Sequence, residues 1–342
     1  MRKKKKADKP GAWAFIKSFA RKKPLGAAGF IFLLLMLLIA IFADVIAPYR
    51  MINGVMPNNI LYRLQVPYLF LSPEARAAAN ASGKVFLLGT DSLGVDVLSY
   101  LIYGARTSVV LALTVTILSV FVSVTIGTLS AVIGGWFDLI IQRIVDAWLC
   151  IPGILITLLL MSMFGRGLLQ LIIVMSIPGG IVGSRMIRSA AISVKDSGYV
   201  KMAEIIGSGV WWKTMKHVLP NIMPVIILSA CGGIGGVIMM EAGLNFLGFG
   251  VNVGTPSWGF MITNQGRANM YTAPWLSLYP GILISLMVFA ANMFGDGLRD
   301  MIDPRLKGGT GSYDLKKIRR LAAKYERKSQ KRARKEDHDY GV

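Results

Sequence analysis

Residues that build enzyme active sites are scarce in this sequence. Its 342 residues include two histidines, His217 and His338, and two cysteines, Cys150 and Cys231, which lie in apolar stretches. It has no His-Glu-x-x-His, Gly-x-Ser-x-Gly or Cys-x-x-Cys motif, and no Gly-x-x-x-x-Gly-Lys-Ser/Thr phosphate loop. We therefore expect no catalytic, cofactor-binding, disulfide or metal site, and no ATP hydrolysis by this chain.

Charge is scarce as well, since 54% of the residues are hydrophobic and 16% are charged. A water-soluble domain of this length does not show such a balance. Six stretches lack Asp, Glu, Lys and Arg, and each has the roughly 18 residues needed to cross a hydrocarbon core of about 30 Å. The sequence thus predicts an all-α integral membrane protein with six transmembrane helices. The stretches are 25–43, 107–137, 147–165, 167–184, 218–240 and 268–295.

A seventh uncharged stretch, 242–266, contains Pro256 and six glycines. These residues make a poor lipid-facing helix, so we predict a re-entrant or extracytoplasmic segment. Ion-coupled carriers usually bind the coupling ion through ionisable side chains within the membrane. The six predicted spans contain no Asp, Glu, Lys or Arg, which disfavours such a carrier. Glu241 directly follows the fifth span, where a solvated or capping role is expected rather than an ion site.

Positive charge predicts the topology. Of the 38 Lys and Arg residues, 31 lie in residues 1–24, at Arg143, in 185–220 or after residue 295. Cytoplasmic flanks accumulate such residues, so both termini are expected in the cytoplasm. Topology and anionic lipid headgroups explain the net charge of +20 better than a nucleic-acid partner does.

The predicted organisation has five parts. The first span is read as retained, because its apolar run is too long for a signal peptide. The charged tail is expected to contact lipid or to lack fixed structure. The parts are a basic cytoplasmic N-terminus (1–24), a first transmembrane helix (25–47), an extracytoplasmic loop (48–104), a five-span domain (105–298) with a cytoplasmic elbow (189–220), and a basic cytoplasmic tail (299–342).

The elbow carries the clearest pattern. Tyr199, Met202, Ala203 and Ile206 recur at helical spacing on one face, while Lys201 and Glu204 share another face. Asp196 or Ser197 is the expected N-cap, and Gly207 the left-handed residue that ends the helix. A second short helix, 210–219, is expected to stop before Pro220. Two interpretations stay open: an amphipathic elbow on the membrane surface, or a docking surface for another protein.

The stretch from Tyr199 to Gly207, followed by His217-Val-Leu-Pro-Asn221, resembles the EAA loop of binding-protein-dependent ABC importers. Lys201 and Met202 stand where that family usually has Glu and Ala, whereas Ala203, Gly207, Leu219 and Pro220 agree. The resemblance assigns ATPase coupling to Tyr199, Lys201, Met202, Ala203, Glu204, Ile206, Gly207, Leu219 and Pro220.

Further motifs, in the same order, resemble the second (C-type) permease subunit of dipeptide, oligopeptide and nickel importers. They cover about residues 25–307, and Val95 replaces an arginine of the family's pattern. The matching positions are Gly89, Thr90, Asp91, Gly94, Asp96, Arg106, Glu241, Gly295, Asp296 and Asp303.

The resemblance implies a type I importer fold, in which one N-terminal span precedes a five-span core. It also implies a bacterial inner membrane, a sister permease, two ATPase subunits that bind ATP and Mg²⁺, and an extracytoplasmic substrate-binding protein. Peptides are the expected cargo, and nickel or another small solute is the alternative. An ion-coupled secondary transporter and a membrane enzyme remain as hypotheses from other classes.

Overall fold

The computed structural model describes residues 18–52, 54–252 and 254–302. This part is helical, and its only β features are two isolated bridges, so the all-α prediction is confirmed. The described residues up to Arg299 belong to one compact unit, and a second unit begins at Asp300. Residues 1–17, Asp303 and nearly all of the predicted tail lie outside the described residues. The helices are α1 (Pro24–Ile41), α2 (Ala43–Ile46), α3 (Pro73–Ser82), α4 (Val97–Ile133), α5 (Gly135–Leu149), α6 (Gly153–Phe164), α7 (Leu168–Lys195), α8 (Gly198–Ile205), α9 (Val210–Lys213), α10 (Leu219–Phe246), α11 (Trp258–Phe260) and α12 (Trp275–Ile302).

Five of the helices are long and apolar enough to cross a membrane, with α9 and α10 counted together. The predicted third span, 147–165, is not one straight helix, because α5 and α6 meet at an angle of 85°. Pro152 lies at the bend and lacks a backbone N–H, and its ring disfavours helical geometry in Ile151. The 12 residues of α6 extend for only about 18 Å.

The packing of α4 on α7 shows that the α5–α6 pair, which connects them, crosses the membrane. Ser119 Oγ donates to the Ser176 carbonyl at 3.0 Å, and Ser123 Oγ donates to the Gly180 carbonyl at 2.8 Å, in each case across 57 residues. The two helices therefore run parallel. The α5–α6 pair must carry the chain back from the level of Ile133 to that of Leu111, about 33 Å at about 1.5 Å per residue. The bent pair is therefore a crossing in its own right, the third along the chain, and it brings the number of crossings in the described residues to six.

Helix α4, which contains most of the predicted second span, 107–137, begins earlier than that span. Asp96 caps it through a 2.8 Å hydrogen bond from the Ser99 N–H to Oδ2, so α4 starts at Val97 and not near Thr107. The predicted loop 48–104 accordingly contains the first two turns of α4. It also contains α3 and two short 3-10 helices, Ile60–Tyr62 and Tyr68–Phe70.

The first span packs directly on the core. A Cβ at Gly29 would lie 2.5 Å from the Ala290 carbonyl of α12, so the two backbones touch. At the far end of α1, Arg106 of α4 donates from Nε to the Ala40 carbonyl at 2.9 Å and pairs with Asp44 at 2.7 Å. These contacts attach the first span to α4 and α12.

Candidate functional site

The predicted elbow, 189–220, joins α7 to α10 at one end of the helix bundle, and its residues 189–195 form the end of α7. Its first helix, α8, ends as predicted at Gly207, which has a φ of 88°. The Gly207 N–H donates to the Glu204 carbonyl at 2.9 Å, and the Ser208 N–H donates to the Ala203 carbonyl at 3.0 Å. This pair of bonds is a Schellman motif, which requires a left-handed residue at its turn.

The start of α8 differs from the expected capping. Ser197 occupies the N-cap position, but its hydroxyl donates back to the Val194 carbonyl at 2.6 Å and accepts no helix N–H. Asp196 lies 3.5 Å from Lys201 in an exposed ion pair. Neither predicted side chain therefore caps α8, although the Ser197 carbonyl accepts the Val200 and Lys201 N–H groups, each at 3.1 Å.

The second half of the elbow does not stop before Pro220, as the sequence had suggested. After α9, a single π-helical turn over Thr214–Val218 leads without a break into α10. Pro220 has no N–H, so a change of hydrogen-bond register costs least at this point. Asn221 Nδ2 donates to the His217 carbonyl at 2.6 Å at the start of α10. The elbow is therefore continuous with a membrane-spanning helix.

An ion pair across the turn holds the two halves of the elbow together. Lys213 Nζ lies 3.0 Å from Glu204 Oε1, and the Lys213 side chain is only 8% exposed. The hydrogen bond and charge of Lys213 hold the pKa of the Glu204 carboxyl below its ordinary value. The sequence pattern does not indicate this ion pair, because residues nine apart across a turn give no periodic signal.

The predicted apolar face of α8 is turned away from the rest of the protein. Tyr199, Met202 and Ile206 are exposed and Ala203 is half-buried, while Val200 packs inward. Ile205 is 80% exposed, which is high for an aliphatic side chain. The exposed apolar surface continues along the second half of the elbow. Its further members are Val210, Trp211, Trp212 and Met215.

A cavity of about 570 Å³ lies at mid-length of the bundle, between α4, α7, α10 and the bend that joins α5 to α6. Small residues create it, among them Gly179 and Gly183 on α7 and Gly233 and Gly236 on α10. The sequence did not identify this surface, because a six-helix pattern does not determine which face of each helix meets the others.

The motif before α4 builds a compact turn at the end of the bundle opposite the elbow. Gly89 and Gly94 have positive φ values of 80° and 76°, and a Cβ on Gly94 would lie 1.8 Å from the Asn59 carbonyl oxygen. Asp91 Oδ1 accepts the Leu93 and Val95 N–H groups at 2.8 Å. Desolvation raises the pKa of Asp91 despite these bonds. The motif therefore positions α4.

Thr90 and Asp96 complete this turn. They form an isolated antiparallel bridge, and Thr90 Oγ1 accepts the Gln65 N–H at 2.9 Å. Trp275 at the start of α12 donates from Nε1 to the Thr90 carbonyl at 3.4 Å. Burial raises the pKa of the Asp96 carboxyl. These contacts connect the start of α4 to that of α12.

Glu241 does not have the solvated or capping role that was expected. It is 1% exposed, and its Oε1 accepts hydrogen bonds from Asn245 Nδ2 at 2.5 Å and Ser257 Oγ at 2.6 Å. The hydroxyl of Ser108 lies beside the carboxyl group. Asn245 Oδ1 in turn accepts the Val251 N–H at 3.1 Å. The carboxyl group thus joins α10 to the segment that follows it.

The predicted re-entrant stretch was 242–266, but its first five residues form the end of α10. The described residues of 247–266 contain no helix long enough to span a membrane. Trp258 is fully buried and donates from Nε1 to the Leu101 carbonyl at 2.9 Å. The last motif positions lie on α12. A Cβ at Gly295 would meet Cys231 Cβ at 3.3 Å, so Gly295 permits close packing on α10, whereas Asp296 is exposed.

Two family models and several bacterial permeases match this sequence. The family model of the binding-protein-dependent transport system inner membrane component matches residues 123–308, and that of the N-terminal TM domain of oligopeptide transport permease C matches residues 16–67. The dipeptide transport system permease protein DppC of Haemophilus influenzae is 36% identical over 82% of this chain and 90% of its own length. The glutathione transport system permease protein GsiD of Pectobacterium atrosepticum is 32% identical over 86% of this chain and 91% of its own length. A solved chain of the MetNI methionine ABC transporter has 16% identity and a TM-score of 0.46 over 58% of this chain and 96% of that one.

Proposed function

Since this chain belongs to the family of binding-protein-dependent transport system inner membrane components, we propose that it forms one wall of a path for short peptides. Membership makes it a permease subunit of an ABC importer, in which ATP hydrolysis takes place on a separate subunit. Similar permeases carry names that specify dipeptides and glutathione, itself a tripeptide. A path for short peptides therefore fits this chain better than one for nickel.

The mid-length cavity is the observation that supports this proposal. The cavity is only partly enclosed by this chain, it lies between helices that are proposed to cross the membrane, and the described residues that line it carry no charge. A sister permease is proposed to close the open side. Two such subunits would then enclose a path of sufficient size for a short peptide.

We propose that the elbow is the docking surface for an ATPase subunit, which binds the ATP and Mg²⁺. Two such subunits and an extracytoplasmic substrate-binding protein complete the proposed importer. The exposed apolar surface of α8 and α9 supports this role, because burial against a partner removes it from water. Continuity of α9 with α10 also supports it, since movement of the elbow is passed directly to a helix that lines the cavity.

The proposed topology places the elbow and both termini in the cytoplasm of a bacterial cell. Six crossings put the two ends of the chain on the same side, and 31 of 38 basic residues then face the cytoplasm. Ile205, which is 80% exposed, is a suitable position for a single cysteine. It should react with an impermeant thiol reagent only after the membrane is opened. Reaction in intact cells would reverse the topology.

Reconstitution tests the transport function. The complete complex, with its ATPases and binding protein, should accumulate labelled dipeptide in liposomes only when ATP is supplied. This chain alone should neither hydrolyse ATP nor carry peptide. Uptake that needs a proton gradient and not ATP would contradict the proposal and favour the ion-coupled carrier.

A further inference from the structure

Building on the proposed peptide path, we propose that the cavity wall formed by this chain receives the ammonium and amide N–H groups of the cargo. Its chemistry is that of a hydrogen-bond acceptor and a weak attractor of cations. Cargo groups that accept hydrogen bonds or carry negative charge are expected to face other parts of the path.

Five hydroxyl groups of the described residues line the wall, and four of them have already used their protons. Each of these four donates to a backbone carbonyl, which can only accept, so each retains only lone pairs for a ligand. The Ser119 and Ser123 bonds to α7 are two of these. Thr157 Oγ1 donates to the Gly153 carbonyl at 2.8 Å, and Ser229 Oγ to the Ile226 carbonyl at 2.9 Å. Thr116 is different, since its buried hydroxyl lies against Gly233.

The backbone of the wall also lacks hydrogen-bond donors at two positions. Pro152 and Pro178 both line the cavity and carry no N–H. Pro178 lies inside α7, so the Val174 carbonyl, four residues earlier, loses its helical donor. Neither proline therefore supplies an N–H donor to the wall.

The described part of the cavity wall carries no positive charge that would repel an ammonium group of the cargo. The described residues around the cavity include no Lys, Arg, Asp or Glu. Trp148 supplies an aromatic ring, whose face attracts cations, together with one N–H donor. A positive group of the cargo therefore meets oxygen lone pairs and an aromatic ring, and no fixed positive charge.

Gly236 is a position at which this property can be changed without disturbing the packing. It lines the cavity on α10, and a Cβ added there would meet no atom within 4 Å. Ser229, two turns earlier on the same helix, bonds only to its own helix. A side chain introduced at Gly236 projects into open space, whereas one at Ser229 replaces a half-buried side chain.

The test compares charged and neutral side chains of equal length in the complete transporter, with dialanine as cargo in liposomes. Gly236→Lys should import about tenfold less dialanine than Gly236→Met. The introduced lysine ammonium group repels the ammonium group of dialanine across a few ångströms of low-dielectric space. Gly236→Glu should import at least as much as Gly236→Gln. Gly236→Ala serves as the control for membrane level and assembly.

Equal uptake by the Lys and Met variants would overturn the proposal, and so would a loss confined to the Glu variant. If all four long side chains block uptake by size, the shorter pair Ser229→Asp and Ser229→Asn decides. The Asp variant should then be at least as active as the Asn variant, and the reverse order would overturn the proposal. A wild-type complex that imports no dialanine contradicts the proposed function, and that result is separate from any difference between variants.

Discussion

Lys213 and Glu204 join the two arms of the elbow across a turn that Gly207 makes possible. The ammonium group of Lys213 is 3.0 Å from the Glu204 carboxylate, and the lysine side chain is largely buried. Its partner is exposed, so the ion pair lies at the surface that is proposed to meet the ATPase. The elbow therefore has an internal brace beside its docking face.

Loss of this brace should weaken coupling while the protein still folds. Lys213→Met keeps the length and apolar stem of the side chain but removes the charge. We expect ATP-dependent uptake to fall about two- to fivefold, in line with the strength of partly exposed ion pairs. Lys216→Met is the control, since Lys216 is exposed in the same turn. Equal uptake by the two variants would show that the ion pair has no part in coupling.

The same ion pair predicts a pH response of the elbow. The pKa of Glu204 is lowered from 4.5 in the folded protein, chiefly by its hydrogen bond to Lys213. The stabilisation is therefore fully present above the ordinary pKa, and it is lost as the pH falls through the lowered one. A spin label at residue 206 should become more mobile only below about pH 4.5. Lys213→Met should abolish that step; a step that persists would assign it to another group.

Gly207→Val should separate folding from coupling. A β-branched residue at a φ of 88° is strained by about 1–2 kcal/mol, although the space around the glycine is open. The six crossings do not depend on this turn, so the variant should reach the membrane at a near-normal level. It should then lose co-purification with the ATPase or ATP-dependent uptake.

Two variants control for this result. Gly209→Ala adds a side chain two residues away, where φ is −63°, and should be tolerated. Gly207→Asn should be milder than Gly207→Val, because asparagine enters the left-handed region more easily. Normal uptake and ATPase association in Gly207→Val would contradict the coupling role of the elbow.

Glu241 is expected to act as a neutral carboxylic acid. Its hydrogen-bond partners in the described residues, Asn245 and Ser257, are uncharged, and Oε2 and the Ser108 hydroxyl both lack an assigned partner. A proton on Oε2 would satisfy both atoms through one hydrogen bond. Glu241→Gln supplies an N–H₂ group in that position and should preserve stability.

Glu241→Leu should instead destabilise the purified complex by about 1–3 kcal/mol, because it leaves buried polar partners unsatisfied. Thermal unfolding in detergent measures both variants. If the Gln variant were as unstable as the Leu variant, the carboxyl group would have to be ionised or bound to a group not yet identified.

Several features of this protein follow from the sequence alone. The length of an uncharged apolar run determines whether a helix can cross lipid, since every backbone polar group must be satisfied within the segment. That rule located all five long helices. Gly207 and the α8 face were also predictable, because a left-handed turn and a helical period are properties of neighbouring residues.

Other features required the tertiary structure. The parallel packing of α4 on α7 requires the α5–α6 pair to make the third crossing, and it depends on contacts between residues 57 apart, such as Ser119 and Ser176. Burial of Glu241 depends on Ser257, which approaches only when the following segment folds back. The cavity arises from the faces that four helices turn toward one another. Local pattern sets which segments enter the membrane, whereas packing between distant segments sets which side chains they present to each other.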